Sequence, residues 1–316
     1  MLMDLSLPMI AGMVFIGVLV DLALGEARHW HPLVGFGNLA NFLERRFNRS
    51  QRSIVCGALA WLLAVTPPVI AAIWLHRLAA TQSFWAVAVL HVSLLYFSIG
   101  LRSLRDHLLP IAAALASRDL PLARALTARI VSRDTAESSA SDLAKAGVES
   151  ALENGNDAVF GTLFWFVVAG GPGALLFRLA NTLDAMWGYR TPRYLRFGRV
   201  AARLDDGLNW LPARLTALSY AALGDTGNAL WCWRAQAPAW SSPNAGPVMA
   251  AGAGALGLAL GGVASYDGVT ESRPALGRGE AASAGDIVRA WHLVLGTCAV
   301  WIGVIALAGL ISRLKG

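Results

Sequence analysis

The stretch VFGTLFWFVVAGGPGALLFRLANTLDAMWGYRTPRYLRFGRVAARLDDGLNWLPARLTA, Val159–Ala217, decides the fold. It opens on an apolar run interrupted by Gly-Gly-Pro-Gly at 170–173 and passes without a linker into a block dense in Asp, Asn and Arg. A charge held near a bilayer centre costs about 2.5–3.5 kcal/mol on insertion scales, so such a block beside apolar runs lines a site or a cytoplasmic face. Read from its residues alone, its alternative is a basic juxtamembrane loop.

The rest of the chain supplies the membrane context. Of 316 residues, 56% are hydrophobic and only 15% charged, against about 25% charge in soluble domains, and mean hydropathy is +0.52. Twelve Trp and frequent Gly agree with a membrane protein. Runs at 8–24, 53–75, 84–101 and 291–311 are long enough, or nearly so, to cross about 30 Å of hydrocarbon. Segments 159–180, 208–224 and 248–263 are apolar but compromised, the first by Gly-Gly-Pro-Gly, the second by Pro212 and Arg214, the third by its length and small residues. These read as buried or re-entrant pieces. The expectation is an all-α, multi-pass integral membrane protein: one membrane-embedded domain over 1–316, with between four and seven embedded helices, some broken or re-entrant. Its cytoplasmic helical connections form the site.

Orientation follows from Arg and Lys in short connections. Arg28, Arg45, Arg46, Arg49 and Arg52 place the connection 25–52 in the cytoplasm and the N-terminus outside, while 76–83 carries only Arg77. The long helical connection 102–158 is then cytoplasmic, with a soluble helical piece from Pro121 to Arg133. The basic connection 181–207 obeys the same rule if the Gly-Gly-Pro-Gly break makes a re-entrant hairpin. The run from Pro8 to Leu24 has only Asp4 before it and no basic leader, and reads as a retained helix. The basic residues fall between apolar runs, which accounts for the net charge of +6 without nucleic acid.

Three polar blocks carry candidate chemistry. In SRDTAESSASDLAKAGVESALENGND, Ser132–Asp157, residues Glu149 and Glu153 share a helical face, with Gly155 ending the helix and Asp157 in the following turn. Such acids suit Mg2+, which takes oxygen ligands and bridges carboxylates to phosphates; a solvated amphipathic helix fits the same pattern. NTLDAMWGYR sets Asn181 and Asp184 three apart, ends at Gly188 and presents Tyr189 and Arg190. RLDDGLNWLPARLTA sets Asp205 and Asn209 four apart, beside Asp206 and between Arg203 and Arg214. Guanidinium forks suit phosphate, so acids with arginines make a toolkit for ATP-dependent transfer; ion-paired loop packing is the alternative. Ser241–Pro247, SSPNAGP, reads as an anion-holding or helix-connecting turn. There is no phosphate-loop motif, the Gly-rich run Gly252–Gly262 lacking the Lys. Cys56, Cys232 and Cys298 are too dispersed for a disulfide framework or zinc site, and His76, His91, His107 and His292 for a metal cluster. His29 and His31, flanking Trp30, read as an interfacial turn.

In these blocks, and in DLALGEARHWHPLVGFGNL, IVSRDT, VESALENGNDAVFGTLFW, GGPGALLFRLANTLDAMWGYR, RFGRVAARLDDGLNWLPARLTAL and SPNAG, the sequence closely resembles the adenosylcobinamide-phosphate synthase family of cobalamin biosynthesis. The likeness covers nearly the whole chain and departs from the family where Gly155 and Asn156 replace a common Thr-Ser pair. It implies a multi-pass enzyme of the bacterial inner membrane, its site facing the cytoplasm. The enzyme would join adenosylcobyric acid to (R)-1-aminopropan-2-ol O-phosphate, or a related amino alcohol, through an amide bond, using ATP and Mg2+. The joined reading gives Mg2+ and nucleotide positioning to Glu149, Glu153, Asp157, Asp205 and Asp206, and proton acceptance from the ammonium nucleophile to Asp184. Arg133, Arg190, Arg193, Arg203 and Arg214 are candidates for phosphates, with Asn154, Asn181 and Asn209 beside them. Lipid, a second copy of the chain and enzymes of later cobalamin steps are the partners it allows. A membrane sensor and a corrinoid transporter are the competing classes; the first would not need these polar strings intact together, and the second is expected to show an inverted repeat.

Overall fold

The computed structural model describes residues 5–26, 31–49, 53–266 and 268–315. Readings placed on Asp4, Arg28, His29, Trp30 and Arg52 lie outside these residues. Over the described residues the chain has the architecture of a multi-pass, all-α membrane protein with a small three-stranded sheet. In order it forms α1 (Leu7–Leu24), α2 (Pro32–Phe47), α3 (Ile54–Gln82), α4 (Phe84–Ser98), α5 (Leu101–Ala116), α6 (Leu120–Thr127) and α7 (Ala140–Asn154), then a π-helical turn, Gly155–Phe160. There follow α8 (Gly161–Trp187), α9 (Arg199–Leu223), α10 (Thr226–Gln236), α11 (Ala245–Leu256), β1 (Leu258–Tyr266), β2 (Val269–Leu276), β3 (Glu280–Ala281) and α12 (Ala284–Lys315).

Among the described residues, five stretches are helical, long and apolar enough to cross a bilayer: Leu7–Leu24, Ile54–Gln82, Phe84–Ala116, Ala140–Trp187 and Ala284–Leu314. Four contain the runs expected to span; the fifth contains the compromised segment 159–180. Their outward faces are apolar, as at Phe15, Ile16, Leu62, Leu63, Trp74, Val304 and Leu307, which suits lipid, where side chains gain nothing from hiding from water.

Two compact units share the chain. The first comprises residues 1–101, 161–209 and 302–316, the second 102–160 and 210–301. In the first, α4 packs on α1, α3 and α8, and Trp61, Leu179, Leu183, Trp187 and Phe197 fill a core closed by Phe36 and Leu43 of α2. The Gly-Gly-Pro-Gly break is real: Ala169 and Gly170 leave helical geometry, Gly170 with φ +61°, a conformation that costs other residues strain. A helix restarting here needs partners for its first amides. Pro172 has no N–H to satisfy, and the Gly171 N–H donates to Nδ1 of His91, buried on α4, at 2.8 Å. His91 Nδ1 is thereby the acceptor, so its Nε2 carries the proton and donates to His76 Nδ1 on α3 at 2.9 Å.

In the second unit, α7 packs on α6, α11 and β1. The helical piece expected from Pro121 to Arg133 stops at Thr127. The chain over 248–263, read as an apolar embedded segment, is instead α11 followed by β1: Gly257 closes the helix with φ +67°, and β1 pairs antiparallel with β2 through a bulge at Gly261/Gly262. Tyr-Asp-Gly-Val at 266–269 was the available signal, since Asp-Gly between apolar residues marks a hairpin.

Candidate functional site

Two groups of polar residues stand in the structure, one in each unit. In the second unit, α7 starts from a capping box in which Ser139 and Asp142 bond each other's backbone amides. Its last turns present Glu149 and Glu153 on one side. The helix does not end at Gly155, contrary to expectation. Gly155 keeps helical angles and the chain runs on as a π turn containing Asp157. The physical reason for the glycine is space: a Cβ there would stand 2.5 Å from the Tyr220 hydroxyl, which donates to the Leu152 carbonyl at 3.2 Å. π turns in helices gather at functional sites.

Glu149 is buried and fully engaged. Arg133 donates to Oε2; Arg273 of β2 donates through both terminal nitrogens, at 2.9 and 3.2 Å; and the Gly261 N–H, turned inward by the bulge, donates to Oε1 at 2.8 Å. Burial disfavours the Arg273 guanidinium charge, but Glu149 outweighs it and raises the pKa above the ordinary value. Around this pair lies a cavity of about 280 Å3 lined by Arg133, Glu149, Glu153, Asn154, Trp240, Ser241, Ser242, Tyr266 and Arg273, among others. Glu153 makes no hydrogen bond or ion pair with any described residue. Asn154 turns its amide back onto Ser150. Asp157 accepts from Asn156, whose Oδ1 receives the Thr216 hydroxyl.

Arg214 is committed elsewhere in the unit: it donates to Asn244 Oδ1 at 2.7 Å and to the Pro243 and Trp210 carbonyls. It thus ties down the SSPNAGP turn, and burial lowers its pKa.

The first unit holds the remaining candidates. On α8 and α9, Asn181 donates to the buried Asp205 at 3.4 Å. Asn209 is buried one turn beyond Asp205. α8 ends as expected, the Gly188 N–H donating to the Asp184 carbonyl at 2.6 Å. Arg193 grips Glu44 of α2 with two hydrogen bonds of 3.0 and 2.7 Å, while Asn48 holds its carbonyl. Burial pushes the Glu44 carboxyl up, but the hydrogen bonds from Arg193 and Asn48 outweigh it and hold it below the usual carboxylate range. Arg193 thereby anchors the connection between α8 and α9.

Beside that anchor opens a cleft of about 750 Å3, lined by Tyr189, Arg190, Tyr194, Arg196, Arg199, Arg203 and Asp206, with Ile54 and Leu195 on its wall. Four guanidinium groups face one carboxylate. None of the four has an ion-pair partner among the described residues, so the cleft has a formal excess of three positive charges, suited to a polyanion.

The residues expected to hold Mg2+ fall in both units: Glu149, Glu153 and Asp157 in the second, Asp205 and Asp206 in the first. Among the described residues no three His, Cys, Asp or Glu side chains form a metal-binding group. Glu149, with both oxygens taken by guanidinium and amide donors, does not fit a metal ligand. Asp206, beside the arginines, fits the way Mg2+ is usually held, by one or two carboxylates together with substrate phosphates.

The model of a family described as CobD/Cbib protein matches residues 14–294 of the chain. The chain belongs to the CobD/Cbib family. Its relatives include proteins named cobalamin biosynthesis protein CobD. That of Stutzerimonas stutzeri is 54% identical over 296 residues, covering 92% of this chain and 95% of its own. That of Chromobacterium violaceum is 52% identical, covering 88% and 90%, and that of Mycobacterium tuberculosis 38%, covering 88% of each. No solved structure matches the chain. In this CobD/Cbib chain Arg273 and Tyr266 join the α7 cavity, and Arg196 and Arg199 the arginine cleft, without having been singled out in the sequence; Trp240, which reads in sequence as an interfacial Trp, lines the α7 cavity as well. The arginines had a signal, a spacing of three or four residues from Arg190 to Arg203; Arg273 had only the unrecognised hairpin.

Proposed function

We propose that this protein is an adenosylcobinamide-phosphate synthase, a ligase that forms an amide between a propionate carboxylate of adenosylcobyric acid and (R)-1-aminopropan-2-ol O-phosphate or a related amino alcohol. Membership of the family gives the chain its part in cobalamin biosynthesis. The observation that carries the ATP-dependent chemistry is the arginine cleft, where three excess positive charges and two tyrosine rings suit a nucleoside polyphosphate. A free carboxylate is a poor acyl donor. Transfer of the γ-phosphoryl group to a propionate oxygen gives an acyl phosphate and ADP. The amine nitrogen then forms the C–N bond as the acyl C–O bond breaks and inorganic phosphate leaves.

Arg190, Arg199 and Arg203 would hold the phosphates and neutralise charge as it moves to the leaving oxygen. Asp206 would hold Mg2+ against them, and Asp205, fixed by Asn181, would brace the helix turn that presents Asp206. Mg2+, when bound, supplies further charge neutralisation. The protein would lie in the bacterial inner membrane with this cleft on the cytoplasmic side, where ATP is.

The test is mass spectrometry of the full-length protein in detergent with adenosylcobyric acid, the amino alcohol phosphate and Mg-ATP. Adenosylcobinamide phosphate with stoichiometric ADP is the expected result. The variants R199A and R203A are expected to raise KM for ATP about tenfold or more, from the loss of a charged hydrogen bond of roughly 1.5–3 kcal/mol. A folded sample that makes no amide overturns the reading, and energised corrinoid uptake without nucleotide consumption would point to a transporter.

A further inference from the structure

The α7 cavity differs from the arginine cleft in charge and size. Arg133 and Arg273 are matched in number by the carboxyl groups of Glu149 and Glu153, so the cavity has no formal excess of charge. Within that balance the groups are not equivalent. Arg273 spends all three nitrogens, on Glu149 and on the Gly262 carbonyl. Arg133 spends one, on Glu149, and its remaining N–H groups bond no described residue. Glu153 bonds none either. What stays available is one guanidinium and one carboxyl group, facing the same small space. Three neutral donors share its wall: the Ser241 and Ser242 hydroxyls and Trp240, whose indole N–H is buried without a partner. A buried donor left unmet costs about 1–3 kcal/mol, which an acceptor in the cavity would relieve.

A polyphosphate is a poor match for such a place, because it would face the Glu153 carboxyl and only Arg133 is left to balance its several charges. A small molecule with an ammonium at one end and an anionic oxygen cluster at the other matches each pole. The geometry points to this cavity as the subsite for the amine substrate: Glu153 receives the ammonium, and Arg133, held by Glu149 with Ser241, Ser242 and the Trp240 indole beside it, receives the phosphate. The ammonium role thus belongs to Glu153 and not to Asp184, and Glu149 is a positioning residue. The naming of the ligand as an amino alcohol phosphate rests on the ligase reading; the pairing of a cationic with an anionic pole does not.

The experiment is calorimetric titration of the full-length protein in detergent, with Mg2+ and a non-hydrolysable ATP analogue present so that ordered binding is satisfied. The probes are (R)-1-aminopropan-2-ol O-phosphate and isopropyl phosphate, which lacks only the amine. The wild type should prefer the first. E153Q should lose about tenfold or more for it, the scale of a charged hydrogen bond of roughly 1.5–3 kcal/mol, and keep its affinity for isopropyl phosphate and the ATP analogue. The exposed Ser241 gives a second variant, S241D, expected to weaken both phosphates alike. The assignment is overturned if the wild type binds neither probe or does not discriminate, if E153Q weakens both probes equally or neither, or if S241D affects neither. Discrimination lost in E153Q from a protein that makes no amide would sink the ligase reading and leave the subsite standing; amide formation by E153Q with unchanged KM for the amine would do the reverse.

Discussion

Glu149 is the residue on which the second unit's polar interior turns, with a side chain 4% exposed between two arginines that are themselves 11% and 12% exposed. Removing one member of such a buried group strands the others, at a cost of about 3–5 kcal/mol. E149Q is therefore expected to lower stability by roughly that amount, read as the shift of the unfolding midpoint in mixed detergent, with R133M recovering part of the loss in the double variant. No recovery in E149Q/R133M would mean that Arg133 tolerates the loss of its partner. Four-residue spacing showed that Glu149 and Glu153 share a face. It could not show that one is engaged and the other open, because the deciding partners, Arg273 and the Gly261 amide, come from a hairpin more than a hundred residues away. The same limit applies to Arg193 and Arg214, indistinguishable in sequence from Arg190 and Arg203, yet bound to Glu44 and to the Asn244 turn.

At the scale of elements, α8 was legible where composition dictated its form. Gly-Gly-Pro-Gly predicts a break, and the break falls at Gly170. G170A is expected to destabilise by more than about 1 kcal/mol, because its φ is positive and a Cβ would stand 2.6 Å from the His91 ring. G12A, in α1 with open space around it, should leave the unfolding temperature unchanged or raise it; equal losses in the two variants would mean that the break is not strained. The π turn after α7 was not legible. Gly155 ordinarily signals a helix end, but here it keeps helical angles and is small because the Tyr220 hydroxyl and Val294 press on it. The hairpin was hidden for a related reason, since its first strand is made of the same small apolar residues as α11.

At the scale of the whole molecule, sidedness follows from one long helix. α3, Ile54–Gln82, has 29 residues and is about 43 Å long at 1.5 Å per residue, more than the hydrocarbon thickness. Ile54 lines the arginine cleft and Ser83 lies past the other end, so cleft and Ser83 belong on opposite faces of the membrane. With Arg45, Arg46 and Arg49 just before α3, the cleft face is expected to be cytoplasmic. In a protein freed of Cys56, Cys232 and Cys298, a cysteine replacing Thr191 should be labelled by an impermeant maleimide only after cells are opened, and one replacing Ser83 in intact spheroplasts. Labelling of both from one side would refute this topology. The His91–Gly171 hydrogen bond carries a consequence for biogenesis. The acceptor stands 80 residues ahead of the donor, so α4 leaves the ribosome well before the break in α8 does. The interrupted helix thus enters a bilayer that already holds the imidazole its exposed amide needs, and the order of synthesis removes the moment at which that amide would face lipid alone.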